Sequence, residues 1–435
     1  MKRYIDREFL RWKSDSARKT LLVRGARQVG KTYSIRELGK SFTYFLEVNF
    51  ESDREVHHFF EKDLDPEGLC RNLSAYYNVP VKDGMTLLFF DEIQACIPAI
   101  SSLRFFHEKK PGLHLAAAGS LLEFAMQELP SFGVGRIEHL FMYPLSFNEF
   151  LMAAGQEPLH QMKLNSGPDN PLNDVFHSKL IAYLKQFFLL GGLPEVIQSF
   201  FDTGDYFGPQ AVLDQLITGL GDDFAKYKAR VPATRLTGVF KSVVSQAGSK
   251  FNVSRASDSA NHPQTKEALE ILEMAGLVYR VIHSAANGLP LGAEINPKRF
   301  KSILFDHGIF QRILGLEMST LLVSDDFSVI NKGHLAEHFA GTEIIKYSSN
   351  KSKAQLYYWH REKRGSNAEV DYLIQKNQTI LPVEVKSGTQ GKMQSLRIFM
   401  SEKNVHTGIR LSLENFSQYD NIQVYPLYAI AGLFS

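Results

Sequence analysis

The chain has 435 residues, 44% apolar and 12% aromatic, which excludes a disordered chain and suggests two or three globular domains. Its 49 Lys and Arg nearly balance its 47 Asp and Glu, which excludes a uniformly basic nucleic-acid coat and an acidic tail protein. Two cysteines, Cys70 and Cys96, exclude a disulfide framework and a cysteine-rich zinc site.

The first 150 residues alternate between short apolar runs and helical patterns. Strands are predicted at 20–24, 42–50, 85–93 and 113–120, and helices at 33–41, 54–76 and 98–108. The run at 85–93 is continuously apolar rather than alternating, as expected for a strand that is buried on both faces. This order predicts an α/β fold with a parallel sheet and helices on its faces.

In the rest of the chain, the composition and the predicted secondary structure change several times. Residues 154–174 are rich in Gly, Pro, Asn and Asp, which predicts a long surface loop. Residues 175–230 are expected to be mostly helical, and 235–285 to form helices followed by a strand at 277–284. A helix at 333–348 precedes three short strands, a further helix and a further strand. These changes place domain boundaries near 205 and 317, giving domains at 1–205, 206–317 and 318–435.

Neither a leader peptide nor a membrane span is evident. The first residues carry charges every few positions, without the apolar stretch of a secretory signal. We find no apolar run of about 18 residues, the minimum for a transmembrane helix. We therefore expect a cytoplasmic protein that does not contact a membrane.

Residues 25–32 read GARQVGKT and match the phosphate-loop pattern G-x-x-x-x-G-K-[ST]. The glycines let the backbone approach phosphate oxygens, and loop N–H groups and the following helix N-terminus point at them. The lysine offsets β- and γ-phosphate charge, and the hydroxyl binds Mg²⁺. The predicted ligands are ATP and Mg²⁺. The predicted nucleotide-binding residues are Gly25, Ala26, Arg27, Gln28, Val29, Gly30, Lys31, Thr32 and Tyr33.

An acidic pair ends the apolar strand at 85–93, in the sequence LLFFDEIQ. Together with Thr32, Asp91 is the predicted Mg²⁺ ligand. Glu92 is the predicted catalytic residue that orients and deprotonates the attacking water, with Lys31 as the residue that neutralises phosphate charge. An acidic pair after a strand is common in itself, and it is the phosphate loop that gives this pair its functional interpretation.

Three further residues are candidates for contacts with the γ-phosphate. Ser120 follows a predicted strand, where a small polar residue could lie between Asp91 and the phosphate; the alternative is an ordinary strand-to-helix turn. Arg136 is a candidate arginine finger, and the alternative is a solvated side chain. Arg27, within the loop, could reach the same phosphate or point outward.

Several motifs in order resemble those of the prokaryotic AAA+ ATPases that carry a C-terminal DUF4143 region. They are GARQVGKT, LLFFDEIQ, AAGSLLEF, YPLSFNEFL, LLGGLPEV, LEMAGLVYRV, FDHGIF, YYWHR, AEVDYLI and PVEVKSG, and they span about residues 17–390. The resemblance implies an AAA+ ATP-binding module, a winged-helix-like middle and a C-terminal domain with a PD-(D/E)XK nuclease-like fold. Family members often have Asp-Thr-Gly where this chain has 306–308 as Asp-His-Gly.

The region 249–284 fits a helix-turn-helix followed by a wing. Gln264 and Lys266 open its second helix, with Arg255 nearby, as expected of a DNA-contacting element. Three glutamates on the same helix weaken that interpretation. Contact with DNA and a purely structural winged helix are both retained as hypotheses.

Carboxylates near the C-terminus fit the nuclease-like fold that the resemblance implies. Glu384 and Lys386 are two apart on a predicted strand and so face the same side. Three carboxylates with a lysine would bind Mg²⁺ and activate water at a phosphodiester. The alternatives are a retained fold whose carboxylates pair with Lys and Arg, and a zinc site at His334 and His338, which no further clustered ligand supports. The candidate nuclease residues are Glu337, Asp371, Glu384 and Lys386.

Three functions follow as hypotheses. The first is Mg²⁺-dependent ATP binding and hydrolysis, an ATPase acting as a switch for the C-terminal half. The second is a nuclease gated by ATP, and the third is a nucleotide-binding scaffold without turnover. The expected partners are ATP and ADP, with DNA and further copies of the chain as candidates.

Overall fold

The computed structural model describes residues 1–120, 122–127, 133, 135–227, 231–256, 261–315, 333–361, 367–386 and 393–434. The chain divides into two compact units. The first contains Met1–Tyr143, Met274–Gly276 and Ser349–Lys353, and the second contains Pro144–Glu273, Leu277–Ser348 and Ala354–Ser435. The polypeptide therefore enters the first unit three times.

The first unit is a parallel five-stranded sheet with helices. Its strands are β1 (Thr20–Arg24), β2 (Tyr44–Asn49), β3 (Thr86–Asp91), β4 (His114–Ala118) and β5 (Ile137–Phe141). Its helices are α1 (Ile5–Ser14), α2 (Lys31–Gly39), α3 (Pro66–Tyr77), α4 (Ile97–Lys109) and α5 (Leu122–Gln127). The strand order is β2-β3-β4-β1-β5, and every neighbouring pair is parallel. The predicted parallel α/β fold of this part is confirmed.

The interior strand β3 is buried along its whole length, as its unbroken apolar sequence predicted. Phe90 projects into a cluster of rings, with edge-on contacts to Phe50, Phe60 and Phe106 at centroid separations of 5.4–6.0 Å. Such pairs add specific geometry to the burial of large apolar surfaces. The strand that carries Asp91 is thus anchored on both sides by the core.

The single helix predicted over 54–76 does not form. The structure has a 3₁₀ helix at Arg54–Phe60 and then α3, which begins at Pro66. The Asp65 side chain accepts a hydrogen bond from the Gly68 N–H, capping α3. A proline fits the first helical turn but disrupts a helix interior, so the Asp65-Pro66 pair starts a new helix.

The second unit combines a helical region with a large mixed sheet. Its helices are α6 (Phe147–Ala153), α7 (Glu157–Leu164), α8 (Asp174–Leu190), α9 (Pro194–Thr203), α10 (Phe207–Asp223), α11 (Ala233–Ser245), α12 (His262–Met274), α13 (His307–Ile313), α14 (Gly333–Tyr347) and α15 (Gln394–Lys403). Its strands are β6 (Val278–Ser284), β7 (Ile295–Leu304), β8 (Leu356–His360), β9 (Glu369–Lys376), β10 (Thr379–Val385), β11 (Gly408–Ser412), β12 (Ser417–Tyr419) and β13 (Ile422–Pro426).

These strands form one eight-stranded sheet of order β12-β13-β11-β10-β9-β8-β6-β7. The β6–β7 hairpin is antiparallel, and β6 pairs in parallel with β8. This pairing joins residues on the two sides of the predicted boundary near 317 into one sheet. The first unit's main segment ends at Tyr143 rather than near 205.

The predicted loop at 154–174 contains a helix, α7, so that prediction was wrong in part. Pro158 lies in the first turn of α7, where a proline does not break the helix. Leu159, His160 and Lys163 are buried, which anchors the segment. The Gly, Pro and Asn residues mark the ends of a short helix instead of a continuous loop.

Among the described residues, no single helix has the length and apolarity to cross a membrane. α8 and α9 meet those criteria only when taken together, and they are bent by 118°.

Candidate functional site

The loop between β1 and α2 has the backbone geometry that a phosphate loop requires. Gly25 and Gly30 have φ values of +145° and +96°, and Gln28 also has a positive φ of 63°. A Cβ on Gly25 would lie 2.2 Å from the Met142 carbonyl oxygen, so only glycine fits. The loop follows the carboxyl end of β1, at the edge of the sheet where β2, β3 and β4 also end.

Lys31, the first residue of α2, is buried against its own loop. Its Nζ donates to the carbonyl oxygens of Gly25 at 3.0 Å and Ala26 at 2.7 Å. Burial lowers the pKa of Lys31 to about 8, although the nearby charges of Glu92 and Asp91 oppose this shift. The ammonium is therefore held over the loop, where phosphate oxygens could replace the carbonyls as acceptors.

The side chains of Thr32 and Asp91 meet directly. Thr32 Oγ1 lies 3.1 Å from each Asp91 carboxylate oxygen, and Asn49 Nδ2 donates to Oδ2 at 3.4 Å. Burial, and then the charge of Glu92, raises the pKa of Asp91 to about 6. A hydroxyl and a carboxylate are oxygen ligands of the kind Mg²⁺ takes together with waters and substrate phosphates, so these residues fit that ion.

Glu92 lies directly after β3 in a left-handed conformation, with φ of 47°. Its Oε2 accepts a hydrogen bond from Gln94 Nε2 at 2.5 Å. Gln94 itself packs on Gly119, where a Cβ would lie 2.0 Å from Gln94 Oε1. Sequence reasoning assigned no role to Gln94, although it belongs to the quoted motif LLFFDEIQ. It holds the predicted water-activating carboxylate in place.

Ser120 and Arg27 also come together, since Arg27 Nε donates to Ser120 Oγ at 3.2 Å. Ser120 is buried just beyond β4, beside β3 in the sheet. Tyr33, by contrast, is 52% exposed on α2. The structure thus gathers the loop, Asp91, Glu92 and Ser120 at one edge of the sheet.

Arg136 is not part of that group. It immediately precedes β5, and Thr20 at the start of β1 pairs with Ile137 at the start of β5. The phosphate loop follows the opposite end of β1, so the length of the strand separates Arg136 from it. The Arg136 guanidinium instead forms an ion pair with Glu108.

Arg3 supports the loop, and sequence reasoning missed it. Its guanidinium is buried, and it donates to the Val29 carbonyl at 3.0 Å and to the Tyr143 carbonyl at 2.7 Å. One arginine thus joins the phosphate loop to the end of the unit's main segment. The sequence gives no signal of this role, because the burial of Arg3 cannot be inferred from its position in the chain.

A second group of charged side chains lies in the second unit. The structure brings together Glu337 on α14, Asp371 on β9, and Glu384 and Lys386 at the end of β10. Lys386 Nζ donates to Glu384 Oε1 at 2.6 Å, and Asp371 Oδ2 accepts from the Val385 N–H at 2.8 Å. Burial raises the pKa of both Glu337 and Glu384.

Lys301 on β7 lies among these carboxylates, and the sequence reasoning missed it. Its side chain is 2% exposed, and Nζ lies 2.7 Å from Glu337 Oε1 and 3.5 Å from Asp371 Oδ1. Nζ also forms an ion pair with Glu369. Burial alone lowers the pKa of Lys301, but the carboxylates outweigh that effect and raise it well above its ordinary value. Lys301 is 36 residues from Glu337, so no local pattern links them.

Three of the motifs quoted for the resemblance have structural roles here. In YPLSFNEFL, Ser146 and Glu149 form a capping box at the start of α6. In LLGGLPEV and FDHGIF, buried Asp306 accepts from the Gly192 N–H at 2.7 Å and the Ile309 N–H at 3.0 Å. These residues position backbone segments.

Comparison with protein families gives three matches along the chain. Residues 17–151 match the family model AAA_14, described as an AAA domain. Residues 181–320 match a domain of unknown function, DUF8612, and residues 332–430 match a domain of unknown function, DUF4143. The AAA and DUF4143 matches confirm the resemblance inferred from the sequence. No curated protein matches the chain.

Solved structures give matches at low sequence identity. The Walker-type ATPase PABY2304 of Pyrococcus abyssi has 12% identity and a TM-score of 0.45, covering 72% of this chain and 96% of that one. The ORC1 protein of Aeropyrum pernix, solved in complex with DNA, has 12% identity and a TM-score of 0.31, covering 72% of this chain and 93% of that one.

Proposed function

We propose that the first unit binds ATP with Mg²⁺ and hydrolyses it. The premise is that this chain carries an AAA domain at residues 17–151 and a DUF4143 domain at 332–430. The observation that carries this proposal is the hydrogen bond between Thr32 and Asp91 beside the buried ammonium of Lys31. An ammonium next to two oxygen groups of the kind that Mg²⁺ takes as ligands supports binding of a metal-bound phosphate chain.

Each residue of the loop edge has a role in this proposal. Loop N–H groups and Lys31 bind the phosphates, and Thr32 and Asp91 hold Mg²⁺, which would offset developing phosphate charge. Glu92 orients the attacking water and accepts its proton, and Gln94 holds the Glu92 carboxylate. Ser120, bonded to Arg27, contacts the γ-phosphate region.

Hydrolysis is tested by comparing steady-state phosphate release and nucleotide binding in the wild type and three variants. Lys31→Ala should lose nucleotide affinity by about 10- to 100-fold, because charge-assisted hydrogen bonds to the phosphates are lost. Glu92→Gln should bind ATP as the wild type does and lose about 100-fold or more in turnover. The control Lys40→Ala, at the exposed end of α2, should change neither quantity. Tight ATP binding by the wild type without turnover would support the scaffold alternative instead.

Arg136 has a place in this proposal only in an assembly. Because it lies at the far edge of the sheet from its own loop, it could act as an arginine finger only on nucleotide bound to a second copy. Turnover per subunit would then rise with protein concentration in the wild type and stay flat in Arg136→Ala. Concentration-independent turnover in the wild type would remove this role.

The proposed use of hydrolysis is a switch acting on the C-terminal half. The polypeptide returns to the first unit at Met274–Gly276 and at Ser349–Lys353, so two connections beyond the main segment link the units. A nucleotide-dependent shift of either segment would be passed along the chain to the strands that follow. Cytoplasmic ATP would drive the switch, and DNA is the candidate partner.

The folds proposed for the C-terminal half rest on the order of their elements. Helix α14, strands β8, β9 and β10, helix α15 and strand β11 follow one another, with β9 antiparallel to both neighbours and β10 parallel to β11. That order supports a PD-(D/E)XK nuclease-like domain. Helices α11 and α12 followed by the β6–β7 hairpin support a winged-helix-like element, whose exposed α12 surface carries both Lys266 and Glu267.

A nuclease is the second candidate function, favoured by the convergence of Glu337, Asp371, Glu384 and Lys386. The residues present do not fit a divalent metal, however. Within the described residues there is no group of three or more His, Cys, Asp or Glu with the geometry to hold one. Incubation of plasmid with Mg²⁺ or Mn²⁺, with and without ATP, tests this candidate, and intact plasmid removes it.

A further inference from the structure

The carboxylate group of the second unit already contains a cation, the ammonium of Lys301. Its Nζ lies 2.7 Å from Glu337 Oε1 and 3.5 Å from Asp371 Oδ1, and it forms an ion pair with Glu369. The side chain is 2% exposed, so these carboxylates and not water balance its charge. The centroid of the Tyr358 ring lies 5.3 Å from Nζ, within the range of a cation–π contact.

A divalent ion at the same place would need oxygen ligands at about 2.0–2.6 Å. Those distances place the ion among the oxygens of Glu337, Glu369 and Asp371, where Nζ already lies. Two cations so close together would repel strongly in a buried site, so ammonium and metal exclude each other. With the ammonium among them, the described carboxylates form no arrangement of three or more ligands that could hold a metal.

We propose that Lys301 is the resident cation of this site, occupying the position that a divalent metal would take among Glu337, Glu369 and Asp371. The site is therefore closed to metal in the wild-type chain, and loss of the ammonium opens it. This inference concerns the second unit alone and does not rest on ATP hydrolysis by the first.

An independent observation shows that the site has a carboxylate oxygen available to bind a metal. Glu384 is buried, and its Oε2 has no hydrogen-bond partner within the part of the chain that the structure describes, while Oε1 is bound by Lys386. Asp371 and Lys301 both influence Glu384 electrostatically, so its carboxylate lies close to them. A buried carboxylate oxygen without a partner is costly and would gain from a metal.

The test compares Lys301→Ala with the matched control Lys346→Ala. Lys346, on α14, is also buried, but it pairs with one carboxylate, Glu343, at 3.0 Å. Every protein carries Asp91→Asn as well, so that the first unit contributes no metal site, and nucleotide is omitted. Mn²⁺ binding is measured by isothermal titration calorimetry, and Tm by circular dichroism with and without Mn²⁺.

Both lysine variants should lose thermal stability in metal-free buffer, because each leaves buried carboxylate charge unpaired. Saturating Mn²⁺ should raise the Tm of Lys301→Ala by about 5 °C, with one ion bound per chain, and leave Lys346→Ala unchanged. The parent with Lys301 intact should bind no Mn²⁺. If Lys301→Ala does not fold, Lys301→Ala with Glu337→Gln removes one charge of each sign and keeps three carboxylates.

Two results would overturn the proposal. One is Mn²⁺ binding by the parent that disappears in Glu337→Gln with Asp371→Asn, because metal and ammonium would then coexist. The other is a folded Lys301→Ala variant, alone or with Glu337→Gln, that neither binds Mn²⁺ nor gains stability from it. In either case ATP turnover by the Asp91-containing protein would still decide the function proposed for the first unit.

Discussion

Thr32 Oγ1 lies 3.1 Å from both carboxylate oxygens of Asp91, although 59 residues separate them in sequence. The contact arises because α2 begins where β1 ends and β3 ends at the same edge of the sheet. Burial raises the pKa of Asp91 itself to about 6 and lowers that of the neighbouring Lys31 to about 8. Nucleotide binding should therefore depend on pH in both directions.

The affinity for Mg²⁺-nucleotide should be highest between about pH 6 and pH 8. Below about 6 Asp91 takes up a proton and loses its charge as a metal ligand, and above about 8 Lys31 loses the proton that gives it positive charge. Each side should fall by up to about tenfold per pH unit, since one proton is involved. A fluorescent nucleotide titrated at each pH measures the profile.

The variant Lys31→Arg separates the two sides of this profile. Arginine stays protonated throughout the range, so the decrease above pH 8 should disappear while the decrease below pH 6 remains. An alkaline decrease that persists unchanged in Lys31→Arg would assign it to a group other than Lys31.

Removing the Arg3 side chain should weaken both the first unit and its nucleotide binding. Arg3→Ala would leave the Val29 and Tyr143 carbonyls without their buried donor, at a cost of about 2–4 kcal/mol in the free energy of unfolding. The loop would also lose a fixed point, so affinity for nucleotide should fall by severalfold. Urea denaturation and nucleotide titration measure these effects. Arg7→Ala, on the exposed face of α1, is the control, and equal losses in both variants would contradict the role of Arg3.

Gly191→Ala should destabilise the second unit far more than Gly204→Ala. Both glycines end helices with φ values of +73° and +71°. A Cβ on Gly191 would lie 2.4 Å from Asp306 Oδ1 and 2.5 Å from the Gly308 nitrogen, whereas none of the described heavy atoms outside the local backbone lies within 4 Å at Gly204.

The expected loss is about 1–2 kcal/mol for Gly204→Ala, the cost of a left-handed alanine. Gly191→Ala should lose at least about 3 kcal/mol, because the clash adds to a conformation that is open essentially to glycine alone. Thermal and urea unfolding of both variants give the comparison. Equal losses would show that Asp306 and Gly308 move aside freely to accommodate a Cβ at position 191.

Two buried histidines should make the second unit sensitive to acid. His338 Nε2 accepts from the Leu304 N–H at 3.1 Å, which leaves its Nδ1 to donate to His307 Nδ1 at 3.1 Å. Burial, and then the charge of Lys346, lowers the pKa of His307 to about 3, and burial lowers that of His338 well below its ordinary value. The unfolded chain therefore binds these protons more readily than the folded one.

The stability that this histidine pair contributes is therefore complete above about pH 6.5 and is lost as pH falls toward 3. Each histidine contributes a slope of up to about 1.4 kcal/mol per pH unit. His307→Asn keeps an acceptor but binds no proton, so its unfolding free energy should fall less steeply between pH 6 and 4. His58→Asn, at an exposed site, is the control, and a slope equal to wild type in His307→Asn would contradict the assignment.

The nucleotide loop could be read from the sequence because its function depends on local backbone geometry. Gly25, Gly30, Lys31 and Thr32 are adjacent in the chain, and the apolar run before Asp91 indicates a strand buried on both faces. A parallel sheet brings the carboxyl ends of its strands to one edge, so even the meeting of Thr32 and Asp91 was predictable.

Other features depend on which strands pair, and no short pattern encodes that choice. Arg136 lies at the far edge of the sheet because β5 starts beside the start of β1. Lys301 enters the carboxylate group because β7 pairs with β6, β6 with β8, and β8 with β9, which carries Asp371. Burial then determines the chemistry, since an ammonium removed from water must be balanced by whichever carboxylates the fold places around it.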